Sequence, residues 1–193
     1  MKICVYGAAS PTIDEIYKEK VENLGKEMVS RGHSLVFGGG DNGLMGAVAK
    51  GVKMADGYIL GVIPKFFIEE EIEAVCGYCN ELIQTETMRE RKQIMEDNAD
   101  AFIIVPGGIG TLEEFFEILT LKQLCRHNKP IVIYNIENYY NEINIVMEQA
   151  IKKNFVKENC LELYQVTDNL EDVFKYIEAP KKEFNDVKEL KEG

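Results

Sequence analysis

Seven short, almost uninterrupted apolar runs alternate with longer stretches of helical period, and no other feature of the chain restricts its fold as much. The runs are "KICVYG", "SLVFGG", "YILGVI", "ELIQTE", "AFIIVPG", "PIVIYN" and "LELYQV". A strand apolar on both sides of its pleat is covered on both faces, which is the condition of parallel strands in an α/β sheet. Helical periodicity falls near residues 13–31, 43–54, 87–98, 111–126, 138–153 and 169–178. The alternation predicts an α/β fold of the Rossmann-like, doubly wound kind: a mostly parallel open sheet with helices on both faces and right-handed crossovers. We expect one domain over residues 1–178. A charged tail over 179–193, "APKKEFNDVKELKEG", is expected to fray or lie on the surface.

Three of the runs end in glycine-rich loops: "YGAAS", "FGGGDNGLMG" and "VPGGIGT". In open α/β sheets ligands bind beyond the carboxyl ends of the strands, and helix N-termini there offer unpaired N–H groups to anions. Three such loops at one edge point to a phosphorylated ligand; the alternative is tight turns that bind nothing. A P-loop NTPase is excluded by the lack of G-x-x-x-x-G-K-[ST]. A dinucleotide-binding dehydrogenase fits poorly, because "GAASPT" lacks the fingerprint and the second strand ends in "FGGG" rather than an acidic residue. The formal net charge of −11 argues against nucleic acid and anionic membrane surfaces as partners. No run reaches membrane-spanning length and no signal peptide is visible, so a cytoplasmic location is expected. The cysteines are odd in number, five, which speaks against a disulfide framework. Cys76 and Cys79 form a C-x-x-C without the helix that a redox pair opens or the second ligand pair that a metal needs. A turn with two incidental thiols is the plainer reading.

Two helices carry charge where a helix usually turns apolar. In "TLEEFFEIL" the period places Leu112, Phe115, Phe116 and Leu119 on a sheet-facing side and Ile118, Leu121 and Cys125 on a second apolar side. Glu114 lies in line with that second side. Glu113 reads as a first-turn carboxylate favoured by the helix dipole. In "TMRERKQIMEDNAD" Met88, Arg91, Lys92 and Met95 share a face. Cations among methionines either snorkel to water or meet an anion. Arg91, with its planar fork, is the better anion clamp.

At these residues the chain resembles a known family. "PGGIGTLEE" fits P-G-G-x-G-T-x-x-E, "MRERK" supplies an R-K pair upstream, and "CVYGAAS" and "GGGDNGLMGAVA" occur in the matching order. Together, over roughly residues 2–150, they resemble the Lonely Guy family of cytokinin riboside 5′-monophosphate phosphoribohydrolases, whose bacterial members were often labelled lysine decarboxylases. The resemblance implies a Rossmann-like homodimer that cleaves the N-glycosidic bond of cytokinin-type or adenosine 5′-monophosphates to free base and ribose 5-phosphate, with no metal and no organic cofactor. It carries the catalytic roles to Arg91 and Glu114. It carries substrate and phosphate binding to Ser10, Gly39, Gly40, Gly43, Thr85, Met88, Lys92, Gly107, Gly108, Gly110 and Thr111, with Asn98 a further possible contact. The decarboxylase label would need pyridoxal phosphate on a marked lysine, and the sequence marks none. The first loop departs from the family's C-G-S-S, reading Gly7-Ala8-Ala9-Ser10, and residues 69–80 depart further, which bears on base preference. A non-catalytic nucleotide or phosphorylated-cofactor carrier is the competing reading, since it would use the same phosphate loop without needing Arg91 and Glu114.

Overall fold

The structure, a computed structural model, describes residues 1–180 and 183–191. Its centre is a seven-stranded, wholly parallel sheet: β1 (Lys2–Tyr6), β2 (Ser34–Phe37), β3 (Ile59–Pro64), β4 (Glu81–Thr85), β5 (Ala101–Ile104), β6 (Ile131–Tyr134) and β7 (Gln165–Thr167). The spatial order is β4-β3-β2-β1-β5-β6-β7. The chain therefore builds outward from β1 in one direction, returns, and builds outward from β5 in the other. β1 and β5 pair in register from Ile3–Ala101 to Tyr6–Ile104, and the reversal of strand order falls between them.

The central strands are buried along their length, as their apolar runs require. On β1, Ile3 and Val5 face one layer while Cys4 and Tyr6 face the other. The first layer holds α1 (Glu15–Ser30), α2 (Gly43–Met54) and α7 (Leu170–Glu178). The second holds α4 (Met88–Asn98), α5 (Ile109–Gln123) and α6 (Asn141–Lys152). A one-turn helix, α3 (Lys65–Glu69), interrupts the link from β3 to β4. On α5 the sheet-facing stripe is Phe115, Ile118, Leu119 and Lys122, whereas Phe116 is 41% exposed. The stripe steps by three, one and three residues, so it leaves Phe116 on the outward side despite its apolar character.

Two further sequence expectations change. The last apolar run splits into a 3₁₀ segment, Glu158–Leu163, and a strand displaced to Gln165–Thr167, because Cys160 and Leu163 turn into the core before pairing begins. A 3₁₀ turn at Ile136–Asn138 delays the sixth helix. In the described part of the tail, for which fraying or a surface position is expected, α8 (Lys188–Lys191) forms and Phe184 and Leu190 are buried against the second layer while Lys188, Glu189 and Lys191 stay exposed; the placement expected for residues 181, 182, 192 and 193 lies outside the described residues. The burial of Phe184 and Leu190 favours the docking of this segment, since burying such a side chain contributes about 1.5–3 kcal/mol.

Phe102 illustrates the packing at the sheet's centre. It is fully buried, stacks on Tyr6 at 6.2 Å and meets the His127 ring at 5.7 Å. A Phe102→Ala variant should lose about 3–5 kcal/mol in urea unfolding. A Phe155→Ser variant, at a site 82% exposed, should stay within about 0.5 kcal/mol of the parent.

Candidate active site

A cleft of about 330 Å³ opens where the strand order reverses, at the carboxyl ends of β1, β2 and β5. Its walls come from Tyr6 to Ala9 after β1, Gly38 and Gly40 after β2, Phe67 and Glu73 from the β3–β4 link, Met88, Arg91 and Met95 from α4, and Gly108, Gly110, Thr111 and Glu114 from α5. A larger groove of about 790 Å³, bordered by Ile151, Phe155 and Leu190, contains neither a glycine loop nor the Arg91–Glu114 pair.

The floor is the N-terminus of α5. Gly108 caps the helix with no side-chain hydrogen bond, so the first-turn N–H groups point outward without an intrahelical partner. Gly107 is glycine because a Cβ would collide with the Thr111 side chain; its carbonyl accepts the Tyr139 hydroxyl at 2.9 Å. Gly108 and Gly110 differ. Nothing lies within 4 Å of where their Cβ atoms would stand, and neither has a positive φ. What those two glycines spare is open space above the helix end, where the macrodipole favours an anion.

Arg91 enters from α4. The helix begins in a capping box: Glu90 N–H donates to Thr87 Oγ1 at 3.2 Å, and the Glu90 carboxylate accepts from the Thr87 N–H. That fixes the helix start and aims Arg91, one position on, into the cleft. Arg91 is 9% exposed, yet among the described residues its side chain hydrogen-bonds no more than the Gly38 carbonyl at 3.5 Å and the Met88 sulfur at 3.7 Å, and Nε has no partner. Its guanidinium lies 5.4 Å from the Phe67 ring centroid. Gly38 leaves room for this placement, since a Cβ there would displace the end of the Arg91 side chain. A buried cation so thinly partnered is costly without an anion to meet it.

Glu114 stands one helical turn past Thr111, half-buried in the same cleft. Burial pushes its carboxyl up to about 7; Glu113 and Glu117 add to the rise, while the Arg91 and Lys92 charges oppose it. Carboxylates shifted by burial beside a cation are frequent at catalytic sites.

Of the residues expected from sequence, Gly40, Met88, Arg91, Gly108, Gly110, Thr111 and Glu114 line the cleft. Lys92 does not. It ion-pairs with Glu113 at 2.5 Å and Glu117 at 2.6 Å, which also gives Glu113 a partner beyond the helix dipole. Ser10 is exposed and hydrogen-bonds Thr12 at 3.0 Å. Gly39 (φ +78°) and Gly43 (φ +56°) shape the loops behind the lining; a Cβ on Gly43 would press on the Ala8 and Ser10 carbonyls. Thr85 is buried and donates to the Thr87 carbonyl, bracing the start of α4, and Asn98 donates to the Ile94 carbonyl at 2.9 Å. Sequence reasoning misses Tyr6, Phe67 and Glu73. Glu73 is one of four glutamates in "EEEIE", and nothing local separates it from the others. Cys76 and Cys79 lie on either side of a turn, both thiols free, with the Cys79 sulfur packing over Gly61.

A family described as possible lysine decarboxylase matches residues 45–177. A cytokinin riboside 5′-monophosphate phosphoribohydrolase of Mycobacterium tuberculosis is 39% identical over 173 residues, covering 90% of this chain and 91% of the relative. The Arabidopsis thaliana enzyme of that name, LOG5, is 35% identical over 180 residues, covering 93% and 78%. Among solved structures, the molybdenum cofactor carrier protein of Chlamydomonas reinhardtii superposes with a TM-score of 0.68 at 21% identity, covering 92% of this chain and 95% of that one. The molybdenum cofactor binding protein of Rippkaea orientalis gives 0.68 at 20%, covering 92% and 94%. These two share the fold.

The raised Glu114 pKa has a consequence for stability. Between pH 4.5 and about 7 the folded state holds a proton there that the unfolded chain has released, so stability falls as pH rises through this window. Glu96 is also raised to about 7 by burial, so the effect must be isolated by difference. Relative to Glu114→Gln, the parent should lose about 1–3 kcal/mol of unfolding free energy between pH 4.5 and 8, measured by urea titration at each pH.

Proposed function

The chain belongs to the family described as possible lysine decarboxylases, alongside the cytokinin riboside 5′-monophosphate phosphoribohydrolases, and from that premise we propose how its cleft hydrolyses the N-glycosidic bond of a purine nucleoside 5′-monophosphate. The observation that carries the reading is a single cleft joining an open helix N-terminus to a thinly partnered Arg91 and a Glu114 of raised pKa.

The substrate phosphate takes the first-turn N–H groups of Gly108 to Thr111, which places the ribose one helical turn along, beside Glu114. Cleavage of the C1′–N9 bond develops oxocarbenium charge, which the Glu114 carboxylate stabilises; a water oxygen bonds to C1′ as N9 departs, and the proton that this water gives up ends on the base. Arg91 hydrogen-bonds the substrate and holds the departing base; its very high pKa makes it a binder and not a proton donor. The products are the free base and ribose 5-phosphate. Adenosine monophosphate and its N6-substituted forms fit this reading, and the reaction belongs in the cytoplasm, where such nucleotides occur free. The decarboxylase description is not supported by the lining, since among the described residues none that lines the cleft is a lysine for pyridoxal phosphate to join.

The carrier reading, which the superposed cofactor proteins represent, needs the phosphate site but not the pair above it. Release of adenine from adenosine monophosphate, followed by chromatography, separates the two. Turnover should rise with pH through an apparent pKa near 7 as Glu114 ionises. Glu114→Gln should bind the nucleotide while losing turnover by ~10²–10⁴-fold. Binding by the parent without base release would favour the carrier.

The working unit we infer is a homodimer. On α5, Ile109 is 89% and Phe116 41% exposed, and with the partly buried Leu112 they form a stripe at i, i+3 and i+7; Ile145 and Val146 on α6 are 54% and 60% exposed. Such an apolar stripe is covered by a second copy of the chain. Light scattering should give twice the monomer mass for the parent and a monomer for Phe116→Asp.

A further inference from the structure

Cys76 and Cys79 do not line the cleft, yet both hold a loop that does. They flank a turn through Gly77 and Tyr78, just ahead of β4. The ends of such a four-residue turn have Cα atoms within about 7 Å, and a disulfide spans about 4.4–6.8 Å. Both side chains run to the same side. Cys76 is buried in the first layer, and Cys79, half-buried, packs against that layer. Both are free thiols. The outer side of the turn is open, with nothing within 4 Å of where a Gly77 Cβ would stand.

The two cysteines grip one residue, Gly39, which stands between the cleft residues Gly38 and Gly40. The Cys76 N–H donates to the Gly39 carbonyl at 2.9 Å. A Cβ on Gly61 would stand 2.8 Å from the Cys79 sulfur and 3.2 Å from the Gly39 Cα, so the sulfur and the loop back onto the same glycine. Beside them the Asp41 N–H donates to the Ala74 carbonyl at 2.8 Å, and Gly40 and Val75 form an antiparallel bridge. An S–S bond of about 2.0 Å is far shorter than any contact of two unbonded sulfurs, so closing it draws the Cys79 sulfur off its seat. The pair is also set up for the reaction. The Cys79 thiol favours a thiolate on Cys76 and brings it below the ordinary thiol range in spite of burial, while Cys76 raises Cys79, which keeps its proton. A thiolate next to a resolving cysteine is the arrangement of redox-sensitive thiols.

We propose that Cys76 and Cys79 are a redox site at which a peroxide forms a disulfide and thereby loosens the loop after β2 behind the cleft. The Cys76 thiolate attacks a peroxide oxygen. The S–O bond forms as the O–O bond breaks, and the departing hydroxide is protonated to water, leaving a sulfenic acid. The Cys79 sulfur then attacks the Cys76 sulfur. The S–S bond forms as the S–O bond breaks, and the second hydroxide leaves with the Cys79 proton as water. The two thiols give up two electrons and two protons, and one peroxide is reduced to two waters. A dithiol reductant reverses the change by thiol exchange.

The test exposes the folded full chain to hydrogen peroxide, alkylates the remaining thiols and reads the tryptic digest by mass spectrometry. Trypsin releases Cys76 and Cys79 together, in residues 66–89. That peptide should appear unalkylated and lighter by two hydrogen atoms than its reduced form, and dithiothreitol should restore alkylation at both cysteines. Cys125, half-buried as well but with no second cysteine in its stretch of chain, should react at least about tenfold more slowly. In Cys79→Ser the reaction should stop at the sulfenic acid, which dimedone traps on Cys76. Amide exchange is followed by NMR with no ligand present. In the oxidised parent it should become about tenfold faster at Asp41 and Cys76, and dithiothreitol should reverse this. A pair that reacts no faster than Cys125, a parent that stops at the sulfenic acid, or exchange at Asp41 and Cys76 that oxidation leaves unchanged overturns the proposal. The parent alone decides the matter should Cys79→Ser fail to fold. None of these readouts depends on what the cleft binds, so the redox site stands or falls apart from the hydrolase.

Discussion

The reversal of strand order between β1 and β5 is the constraint on which the rest of the site depends. The two strands are hydrogen-bonded neighbours, but the helices that follow them leave on opposite faces, α1 into one layer and α5 into the other. No crossover therefore covers the gap above their carboxyl ends, and a cleft forms where backbone N–H groups are unpaired. The glycines follow from that geometry. Gly38 makes room for a guanidinium, Gly40 for a carboxylate, and Gly108 and Gly110 leave the mouth of α5 clear. A side chain at any of these positions would fill the space that the topology creates.

Electrostatics in the cleft run against the charge of the whole chain. A net charge of −11 repels anions at long range, yet the site gathers the positive end of α5 and the Arg91 guanidinium inside low-dielectric walls. Buried charges are screened less by salt than surface ones, so these two local sources outweigh the diffuse field at contact distance. The carboxylates respond in the opposite sense. Glu114 and Glu73 are both raised, chiefly by burial, and Arg91 restrains each. Arg91 is thus the shared counter-charge of the cleft, which explains why a side chain with so few hydrogen bonds of its own is held by a capping box and by a glycine cut to its shape.

Much of this was legible in the sequence, for a physical reason. Parallel strands covered on both faces show as continuous apolar runs, so the order of elements and the fold class can be read directly. Arg91 and Glu114 show because a charge inside an apolar stripe breaks a period, and a broken period is a one-dimensional signal. Lys92 shows the limit of that signal. Adjacent residues on a helix point about 100° apart, so grouping Lys92 with Arg91 ignores a turn that delivers it to Glu113 and Glu117. Phe116 is similar: its apolar character suggests the sheet, while the step of the helix turns it outward. Glu73 leaves no trace in the sequence at all. Its place is set by contacts with Gly39, Gly40 and Asp41, more than thirty residues earlier, and long-range pairing of a loop has no period. The buried Phe184 and Leu190 are hidden likewise by the charges around them.

The central claim is that phosphate binds at the mouth of α5, with the sugar carried to Glu114. The most direct measurement is a crystal structure of the Glu114→Gln protein with adenosine monophosphate. The account predicts phosphate oxygens about 2.7–3.1 Å from the backbone nitrogens between Gly108 and Thr111. It further predicts the C1′ atom beside residue 114. Phosphate bound elsewhere, for instance at the start of α2 beside Asn42, with the α5 amides facing only solvent, would contradict it.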